Sequence, residues 1–332
     1  MKAAVIGSGA WGTALAIRLH KNGHDVTMWT FETELIDQMN TTHRNPRLPE
    51  AELPEGLVVS GDYSCAKGCK LVVIAAPSFP IRSVCRGVAP YLDEDAVVVS
   101  VTKGIEQGTH LRMSQVVEQE TGKPVVVLTG PSHAEEVAQE LPTGCLAACE
   151  NRELAEFVQD AFMSDTFRIY TSPDAVGAEL GAALKNVIAL CAGVTDGLGY
   201  GDNTKAMLMT RGLTEIARLG VSLGAQKETF AGLAGVGDLI VTCTSMHSRN
   251  RRAGILIGQG CTAKEAMEKV GAVVEGYYAA QSAWELACSQ NVNMPIVHAA
   301  YSVLYEGMSA AEAVKELLSR QRGPESEDAG WI

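Results

Sequence analysis

The sequence predicts a two-domain protein in which a doubly wound α/β sheet is followed by an all-α domain. In the first half, short runs of β-branched and apolar residues alternate with amphipathic stretches, an order typical of strand–helix–strand units. From about Glu179 onward, apolar residues recur at helical spacing between glycine-rich turns. We therefore place the domains at residues 1–178 and 179–322, and we expect the polar tail 323–332 to be disordered.

Apolar runs of four to seven residues, bounded by turn residues, predict strands that are buried on both faces of a parallel sheet. Such runs lie at residues 3–7, 25–29, 71–77, 96–102, 124–130 and 144–149, and 168–177 holds the last strand-like segment. Helical stretches separate several of these runs, so the strands are expected to lie parallel in one sheet.

Composition argues against several classes of protein. The 332-residue chain has a formal net charge of −12, which disfavours a nucleic-acid-binding face or an anionic membrane surface as its partner. No uninterrupted apolar run reaches the roughly 18 residues that span a bilayer, and the first residues are typical of a strand and turn rather than a secretory leader. The nine scattered cysteines lack a Cys-x-x-Cys pair, so we expect reduced thiols in a cytosolic protein and no metal site.

The amino-terminal segment carries the motif Gly-x-Gly-x-x-Gly, formed by Gly7, Gly9 and Gly12, directly between a predicted strand and a predicted helix. The first glycine allows a tight turn, the second lets backbone approach a pyrophosphate, and the third lets the helix pack on the strand. Free N–H groups at the helix start then face the phosphates. In this context the motif predicts a Rossmann-type dinucleotide-binding domain.

The residues after the second predicted strand indicate which dinucleotide binds. An acid there binds the ribose hydroxyls of NAD, whereas an arginine accepts the 2′-phosphate of NADP. The sequence has Thr30, Phe31 and Glu32 at this place, with Glu34 next and no Lys or Arg between 29 and 34. We therefore expect NAD or NADP as cofactor, with NAD preferred or at least fully accepted.

Polar segments follow two later strands, at the edge where doubly wound sheets bind ligands. The segment "VTKG" places Lys103 at this edge, and "TGPSHAEE" places Gly130 and Ser132 there. Ser132 and Glu135 also match a helix capping box, which explains the serine equally well. We expect His133 to lie on a helix surface, because nothing near it in the sequence orients it.

Lys185 is the single charged residue from Leu180 to Thr195, within an apolar helical stretch. Such a lysine either extends to solvent or is buried with a lowered pKa, and a lowered pKa suits a general base. The residues alone leave both interpretations open. Further along, Asp238 ends a glycine-rich segment and either caps a helix or orients a lysine or a substrate hydroxyl. The basic segment "SRNRR" at 248–252 then suggests an anion site.

Seven motifs in order resemble the soluble, nicotinamide-dependent glycerol-3-phosphate dehydrogenases. They are GSGAWGTALA, VTKGIE, TGPSHAEE, LKNVIALCAG, GLAGVGDLIVTC, SRNRR and VVEGY, spread over about residues 1–320. The resemblance implies a cytoplasmic homodimer that interconverts sn-glycerol 3-phosphate and dihydroxyacetone phosphate, a phosphorylated triose, with NAD or NADP. It also implies a supply of glycerol 3-phosphate for phospholipid synthesis. The segments "VTMWTFE" and "NTTHRNPRLPE" resemble the NAD-specific eukaryotic branch, whereas most of the chain resembles the bacterial branch, which often uses NADP.

The resemblance implies roles for individual residues. Lys185 is the implied proton acceptor, and Lys103 and Asp238 complete the implied catalytic group. The implied cofactor contacts are Gly7, Gly9, Ala10, Trp11, Gly12, Phe31, Lys103, Ala134, Arg249, Val273 and Glu275. The implied substrate contacts are Lys103, Gly130, Ser132, Lys185, Asp238, Ser248, Arg249 and Asn250, and no metal is implied. We assign Arg251 and Arg252 to structural or salt-bridging positions.

Two other functions stay open from the residues. One is a β-hydroxyacid or sugar-acid dehydrogenase of similar architecture, which would need a site for a substrate carboxylate. The other is a dinucleotide-binding regulator without turnover, which the combination of Lys103, Lys185 and Asp238 argues against.

Overall fold

The computed structural model describes residues 1–325, so the predicted disorder of residues 326–332 lies outside the described range. Eight strands form one sheet in the order β3-β2-β1-β4-β5-β6-β7-β8. They are β1 (Lys2–Ile6), β2 (Asp25–Trp29), β3 (Val58–Ser60), β4 (Leu71–Ile74), β5 (Val97–Ser100), β6 (Val125–Thr129), β7 (Thr143–Ala148) and β8 (Phe167–Ser172). Neighbouring strands are parallel except β6 and β7, which are antiparallel.

The sheet confirms the predicted fold class and adds two features that the sequence analysis missed. The edge strand β3 has three residues, which is too short to show an alternating pattern. The antiparallel β7 follows the five-residue helix α5 (Ala134–Ala138). That helix extends about 7 Å, whereas a return along β6 needs about 16 Å, so the chain enters β7 from the end of the sheet at which β6 finishes.

Helices cover both faces of the sheet, as a doubly wound fold requires. Helices α1 (Ala10–Lys21), α5 and α6 (Arg152–Phe162) pack on one face, where Leu15, Leu19 and Phe162 are fully buried. Helices α3 (Ile81–Val88) and α4 (Met113–Thr121) pack on the other face through residues such as Ile81 and Val116. The short helix α2 (Ile36–Thr42) lies between β2 and β3.

The second domain is helical, as predicted, and surrounds helix α7 (Ala175–Gly197). The other helices are α8 (Asp202–Ser222), α9 (Asp238–Thr244), α10 (Arg249–Gly258), α11 (Ala263–Val270), α12 (Glu275–Ser289), α13 (Pro295–Tyr305) and α14 (Ala310–Leu318). Since α7 begins at Ala175, the proposed boundary at residue 178 falls in its first turn and stays a prediction.

Glycines bring α7 and α10 into backbone contact. A Cβ on Gly193 would lie 2.1 Å from the Arg251 carbonyl oxygen, and one on Gly254 would lie 2.0 Å from the Leu190 carbonyl oxygen. No side chain larger than hydrogen fits at either place, so the segment 248–252 at the start of α10 is held close against α7.

Helix α7 is long and apolar enough, by length and mean hydropathy, to span a membrane. Glu179 and Lys185 interrupt its apolar sequence, so no uninterrupted run of about 18 apolar residues marks this helix. In the structure, 83% of the apolar window is buried inside the protein, which is the expected position of a central core helix.

Candidate active site

The glycine loop between β1 and α1 forms an open concave surface at the carboxyl end of the sheet. Gly7 has φ +132°, and a Cβ there would lie 2.6 Å from the Ala75 carbonyl oxygen. A Cβ on Gly12 would lie 2.1 Å from the Gly7 carbonyl oxygen, whereas one on Gly9 would meet nothing within 4 Å. Gly9 precedes α1 without a side-chain cap, so the first N–H groups of α1 face this space. The loop therefore fits a dinucleotide pyrophosphate.

The strand order places this loop where doubly wound sheets bind ligands. β1 and β4 are neighbours, and the chain continues from β1 to β2 toward one edge of the sheet but from β4 to β5 toward the opposite edge. A crevice opens at such a switch point, beyond the carboxyl ends of the strands. Lys103, three residues after β5 ends at Ser100, and Gly130, directly after β6, stand at the same edge.

Two lysines share one buried carboxylate beside this edge. The Lys185 Nζ donates hydrogen bonds to Asp238 Oδ1 and, at 2.6 Å, to Thr242 Oγ1. The Lys103 Nζ donates to Asp238 Oδ2 at 2.8 Å and lies 3.4 Å from the Gly130 carbonyl oxygen. Asp238 is 1% exposed and Lys185 is 5% exposed, so the structure settles the open interpretation of Lys185 in favour of burial.

Lys185 and Asp238 meet because helix α7 packs closely against a π-helical turn. The turn spans Leu233–Gly237 and leads directly into Asp238. A Cβ on Gly181 would lie 2.5 Å from the Ala234 carbonyl oxygen, so this glycine lets the turn touch α7. Lys185 lies one helical turn beyond Gly181 on the same face of α7, which brings its ammonium group to Asp238.

The environment lowers the pKa of Lys185 to about 7. Burial is the largest cause, because it disfavours the charged form. The charge of Lys103 lowers the pKa further, and the Asp238 carboxylate opposes both effects. A lysine near half protonation at neutral pH can both accept and donate a proton, which is the property that a general acid–base group needs.

Thr242 is a site residue that the sequence analysis missed. Its Oγ1 donates to the Asp238 carbonyl oxygen at 2.6 Å and accepts from Lys185 Nζ. Both Asp238 and Thr242 lie on α9, four residues apart, so they share one helix face. Because Asp238 was a predicted site residue, the four-residue spacing could have predicted that Thr242 lies beside it.

In the basic segment at the start of α10, Arg251 has the salt-bridging position that the sequence analysis assigned to it. Its Nε donates to Asp196 Oδ2 at 2.9 Å and its Nη1 donates to the Thr244 carbonyl oxygen at 2.7 Å. Arg251 is therefore a salt-bridging residue, while Arg252 is exposed. Ser248 caps α10, since its Oγ accepts from the Arg251 backbone N–H at 3.2 Å.

Asn250 is buried and crosslinks three helices. Its Oδ1 accepts from the Gly276 N–H at 2.8 Å, and its Nδ2 donates to Asn186 Oδ1 at 2.9 Å. Asn186 follows Lys185 directly on α7, so these two amide side chains connect α7 with α10 and α12. Arg249, the neighbour of Asn250, has an exposed side chain.

Comparison with known proteins identifies the family. The model for the "NAD-dependent glycerol-3-phosphate dehydrogenase N-terminus" matches residues 2–155, and the model for the C-terminus of the same family matches residues 174–315. The chain belongs to the NAD-dependent glycerol-3-phosphate dehydrogenase family. It is an NAD(P)-dependent oxidoreductase of this family, which decides against the hydroxyacid dehydrogenase and the regulator without turnover.

Individual relatives are similar over nearly their whole length. Glycerol-3-phosphate dehydrogenase [NAD(P)+] from Clostridium acetobutylicum is 51% identical over 96% of this chain and 96% of its own. The protein of the same name from Fusobacterium nucleatum is 50% identical over 97% and 98%. The crystal structure of the glycerol-3-phosphate dehydrogenase from Coxiella burnetii superposes with a TM-score of 0.92 at 38% identity, over 96% and 99% of the two chains.

The segment "TGPSHAEE" of the dehydrogenase differs locally from its sequence prediction. No capping box forms, because the Ser132 Oγ donates to the Gly130 carbonyl oxygen at 3.1 Å and His133, not Ser132, precedes α5. His133 is partly buried rather than on a helix surface, and burial lowers its pKa. Its ring lies 5.6 Å from that of His247. Ala134, the first residue of α5, is buried.

An arginine lies beside the segment after β2, where folds of this type bind the adenosine ribose. Phe31 is 73% exposed and Thr30 is buried. The Glu32 carboxylate pairs with Arg47, which lies in the loop after α2. Residues 29–34 hold no Lys or Arg, as the sequence shows, but the loop after α2 folds back and brings Arg47 to Glu32.

The start of α12 contacts the segment that follows β4. Glu275 Oε2 accepts from Ser78 Oγ at 2.9 Å, which connects α12 with the end of β4. Burial raises the pKa of Glu275, and the nearby charge of Arg249 opposes this. Val273 lies two residues earlier and is partly exposed. Within residues 1–325, no three His, Cys, Asp or Glu side chains cluster as metal ligands do.

Proposed function

We propose that this dehydrogenase interconverts sn-glycerol 3-phosphate and dihydroxyacetone phosphate with Lys185 as the group that transfers the proton. The observation that carries the proposal is the buried Lys185–Asp238–Lys103 cluster at the carboxyl edge of the sheet. Nicotinamide, when bound, accepts or supplies the hydride at C2 of the triose. The chain's own residues supply binding, orientation and the proton.

Lys185 is the proton-transferring residue because its neutral and charged forms are both accessible at neutral pH. In the oxidation direction its neutral amine accepts the proton of the C2 hydroxyl, and in the reduction direction its ammonium form returns it. The hydrogen bond to Thr242 and the ion pair with Asp238 hold the Nζ in one position. A fixed Nζ saves the entropy of orienting the base at each turnover.

Lys103 and Asp238 set the charge around this amine. One carboxylate and one ammonium group balance each other while Lys185 is neutral, and protonation of Lys185 leaves one uncompensated positive charge in a buried site. That surplus charge favours an electron-rich oxygen on C2, which Lys103 would also contact. Its Nζ is already positioned by Asp238 and the Gly130 carbonyl oxygen.

The phosphate of the substrate would bind at the start of α10. Arg249 offers a charged guanidinium, and the N-terminal N–H groups of α10 favour an anion. Ser248 and Asn250 already use their side chains to cap α10 and to hold Gly276. We infer that these two residues shape the phosphate pocket, which Ser132 and Gly130 would complete from the first domain.

Physiological assignments follow from the family and belong to the same proposal. The cytoplasmic location, the homodimer and the supply of glycerol 3-phosphate for phospholipid synthesis fit an enzyme of this type. NAD is accepted fully, because Glu32 stands where an acid binds the ribose hydroxyls.

The decisive experiment is reduction of dihydroxyacetone phosphate by the purified protein, followed at 340 nm once with NADH and once with NADPH. We expect turnover with both cofactors, and less than a tenfold preference for NADPH in kcat/KM. Glycerate and 3-hydroxy acids serve as control substrates in the oxidation direction and should give no turnover. Turnover with those acids and none with the triose phosphate would refute the proposal.

A further inference from the structure

The Glu32–Arg47 pair lies at the place where the adenosine ribose of a dinucleotide binds, after β2. Arg47 approaches the carboxylate as a fork, with Nη2 on Oε1 and Nε on Oε2 at 3.3 Å. The Glu32 side chain is 13% exposed and that of Arg47 is 56% exposed. The arginine therefore forms the outer, solvent-facing part of the pair.

A buried asparagine fixes the position of Arg47. Asn45 is 1% exposed, and its Oδ1 accepts from the Arg47 backbone N–H at 2.9 Å. Its Nδ2 donates to the Ser8 carbonyl oxygen at 2.9 Å and to Thr13 Oγ1 at 2.7 Å. Ser8 belongs to the glycine loop, so the loop that carries Arg47 is attached directly to the pyrophosphate-binding segment.

Glu32 is attached to the same segment from the other side. Its backbone N–H donates to Thr30 Oγ1 at 3.1 Å, and Thr30 Oγ1 also accepts from Ser8 Oγ at 2.6 Å. Hydrogen bonds thus fix the positions of both Glu32 and Arg47 relative to the glycine loop. A surface ion pair without such support would have little fixed geometry.

The pair offers both types of ribose recognition at once. A carboxylate suits the ribose hydroxyls of NAD but repels the 2′-phosphate of NADP, and an arginine does the reverse. Arg47 neutralises Glu32, and among residues 1–325 its Nη1 makes no hydrogen bond. A guanidinium that keeps two nitrogens on a carboxylate can still donate from the third to a phosphate oxygen.

We propose that Arg47 is the residue through which this enzyme accepts NADP, while Glu32 serves NAD. The inference rests on the proposed function for the identity of the cofactors, but it concerns their binding alone. It predicts that one fixed ion pair, rather than a residue directly after β2, sets the balance between the two cofactors.

The test measures dissociation constants of NADH and NADPH without substrate, by nicotinamide fluorescence, for the wild type and for Arg47→Gln. We expect the variant to bind NADPH about tenfold or more weakly, the loss of a hydrogen bond between charged groups, and NADH within about twofold of wild type. Raising the salt concentration should weaken NADPH more than NADH in the wild type, and this difference should vanish in the variant.

Arg44→Gln is the matched control, because Arg44 lies in the same loop and is 59% exposed in an ion pair with Glu52. It should change neither dissociation constant by more than about twofold. Arg47→Lys keeps the charge without the fork and should retain part of the NADPH affinity. Glu32→Gln should weaken NADH several-fold and leave NADPH as tight as before or tighter.

Equal weakening of both cofactors by Arg47→Gln, or of neither, would overturn the inference, as would a wild type that binds no NADPH. Thermal unfolding of each variant identifies any loss that comes from misfolding, and Arg47→Lys then supplies the comparison. If the wild type binds both cofactors as expected but does not reduce dihydroxyacetone phosphate, the proposed function fails and this inference stands.

Discussion

The two ends of the cofactor cleft each pair a carboxylate with basic side chains, yet the outcomes differ. At the adenosine end, Glu32 holds the half-exposed Arg47, and the hydrogen bond to Glu32 raises the pKa of Arg47. At the other end, Asp238 holds Lys185 in a buried position, and burial lowers the pKa of Lys185 to about 7. Burial thus decides whether a pair keeps a permanent charge for binding or yields a group that exchanges protons.

Lys185→Met should give the largest effect of any change in the cleft. Methionine keeps the length and volume of the side chain but removes the amine, so kcat should fall by about 10²–10⁴-fold, the usual contribution of general acid–base catalysis. The dissociation constants of NADH and NADPH should stay within about twofold. Steady-state kinetics and cofactor titration measure the two quantities.

Lys70→Met is the matched control, because Lys70 and Asp95 form a lysine–aspartate ion pair at the surface, with side chains 52% and 64% exposed. We expect near-native kcat from this variant. If Lys185→Met also kept near-native turnover, Lys185 would not be the proton-transferring residue. The buried Lys185–Asp238 pair would then contribute no more to turnover than the exposed Lys70–Asp95 pair.

Lys103→Met should lower kcat/KM for dihydroxyacetone phosphate by about 10²-fold, because it removes one charged donor from the reacting oxygen. It should also raise the pKa of Lys185, since the charge of Lys103 lowers it. In the oxidation direction the rate depends on neutral Lys185, so the acid limb of the pH profile should move above pH 7. An unchanged limb would contradict electrostatic coupling between the two lysines.

Asp238→Asn should lower kcat by about tenfold to 10²-fold and move the acid limb in the opposite direction. The Asp238 carboxylate raises the pKa of Lys185, so its removal lowers that pKa further and shifts the limb below pH 7. The loss of rate comes from a less firmly positioned Nζ. Profiles of kcat/KM against pH for wild type, Lys103→Met and Asp238→Asn should therefore lie in a fixed order along the pH axis.

The sequence predicted those parts of the cleft that are contiguous in the chain. The glycine loop, Lys103 after β5 and the lone charge of Lys185 are visible in short windows, and the alternation of runs predicted the sheet and the helical domain. Burial of Lys185 was not predictable, because it depends on Gly181 and Ala234 meeting across two elements. The position of an ionisable group relative to water is a property of packing.

Contacts between distant segments were missed for the same reason. Arg47 reaches Glu32 because Asn45 ties its loop to Ser8, and no local pattern records a loop attachment. Asn250 connects Asn186 and Gly276 across three helices. The antiparallel β7 depended on the length of α5, which a four-residue capping pattern did not reveal. The residue types in a motif therefore predict its chemistry, but they do not predict which motifs contact each other in the folded protein.

Thr242→Val should give the smallest effect in the catalytic cluster, about three- to tenfold in kcat. Valine is close in shape but removes one neutral acceptor for Lys185 Nζ, and a single hydrogen bond of this kind contributes about 0.5–1.5 kcal/mol. Thr244→Val is the matched control on the same helix, since Thr244 is exposed and its Oγ1 donates to the Ile240 carbonyl oxygen instead. Steady-state kinetics of both variants should show a loss in the first and none in the second. A loss of the same size in both variants would assign the effect to helix α9 as a whole. A loss in Thr242→Val as large as that in Lys185→Met would mean that Thr242, rather than burial with Asp238, keeps the amine in its reactive position.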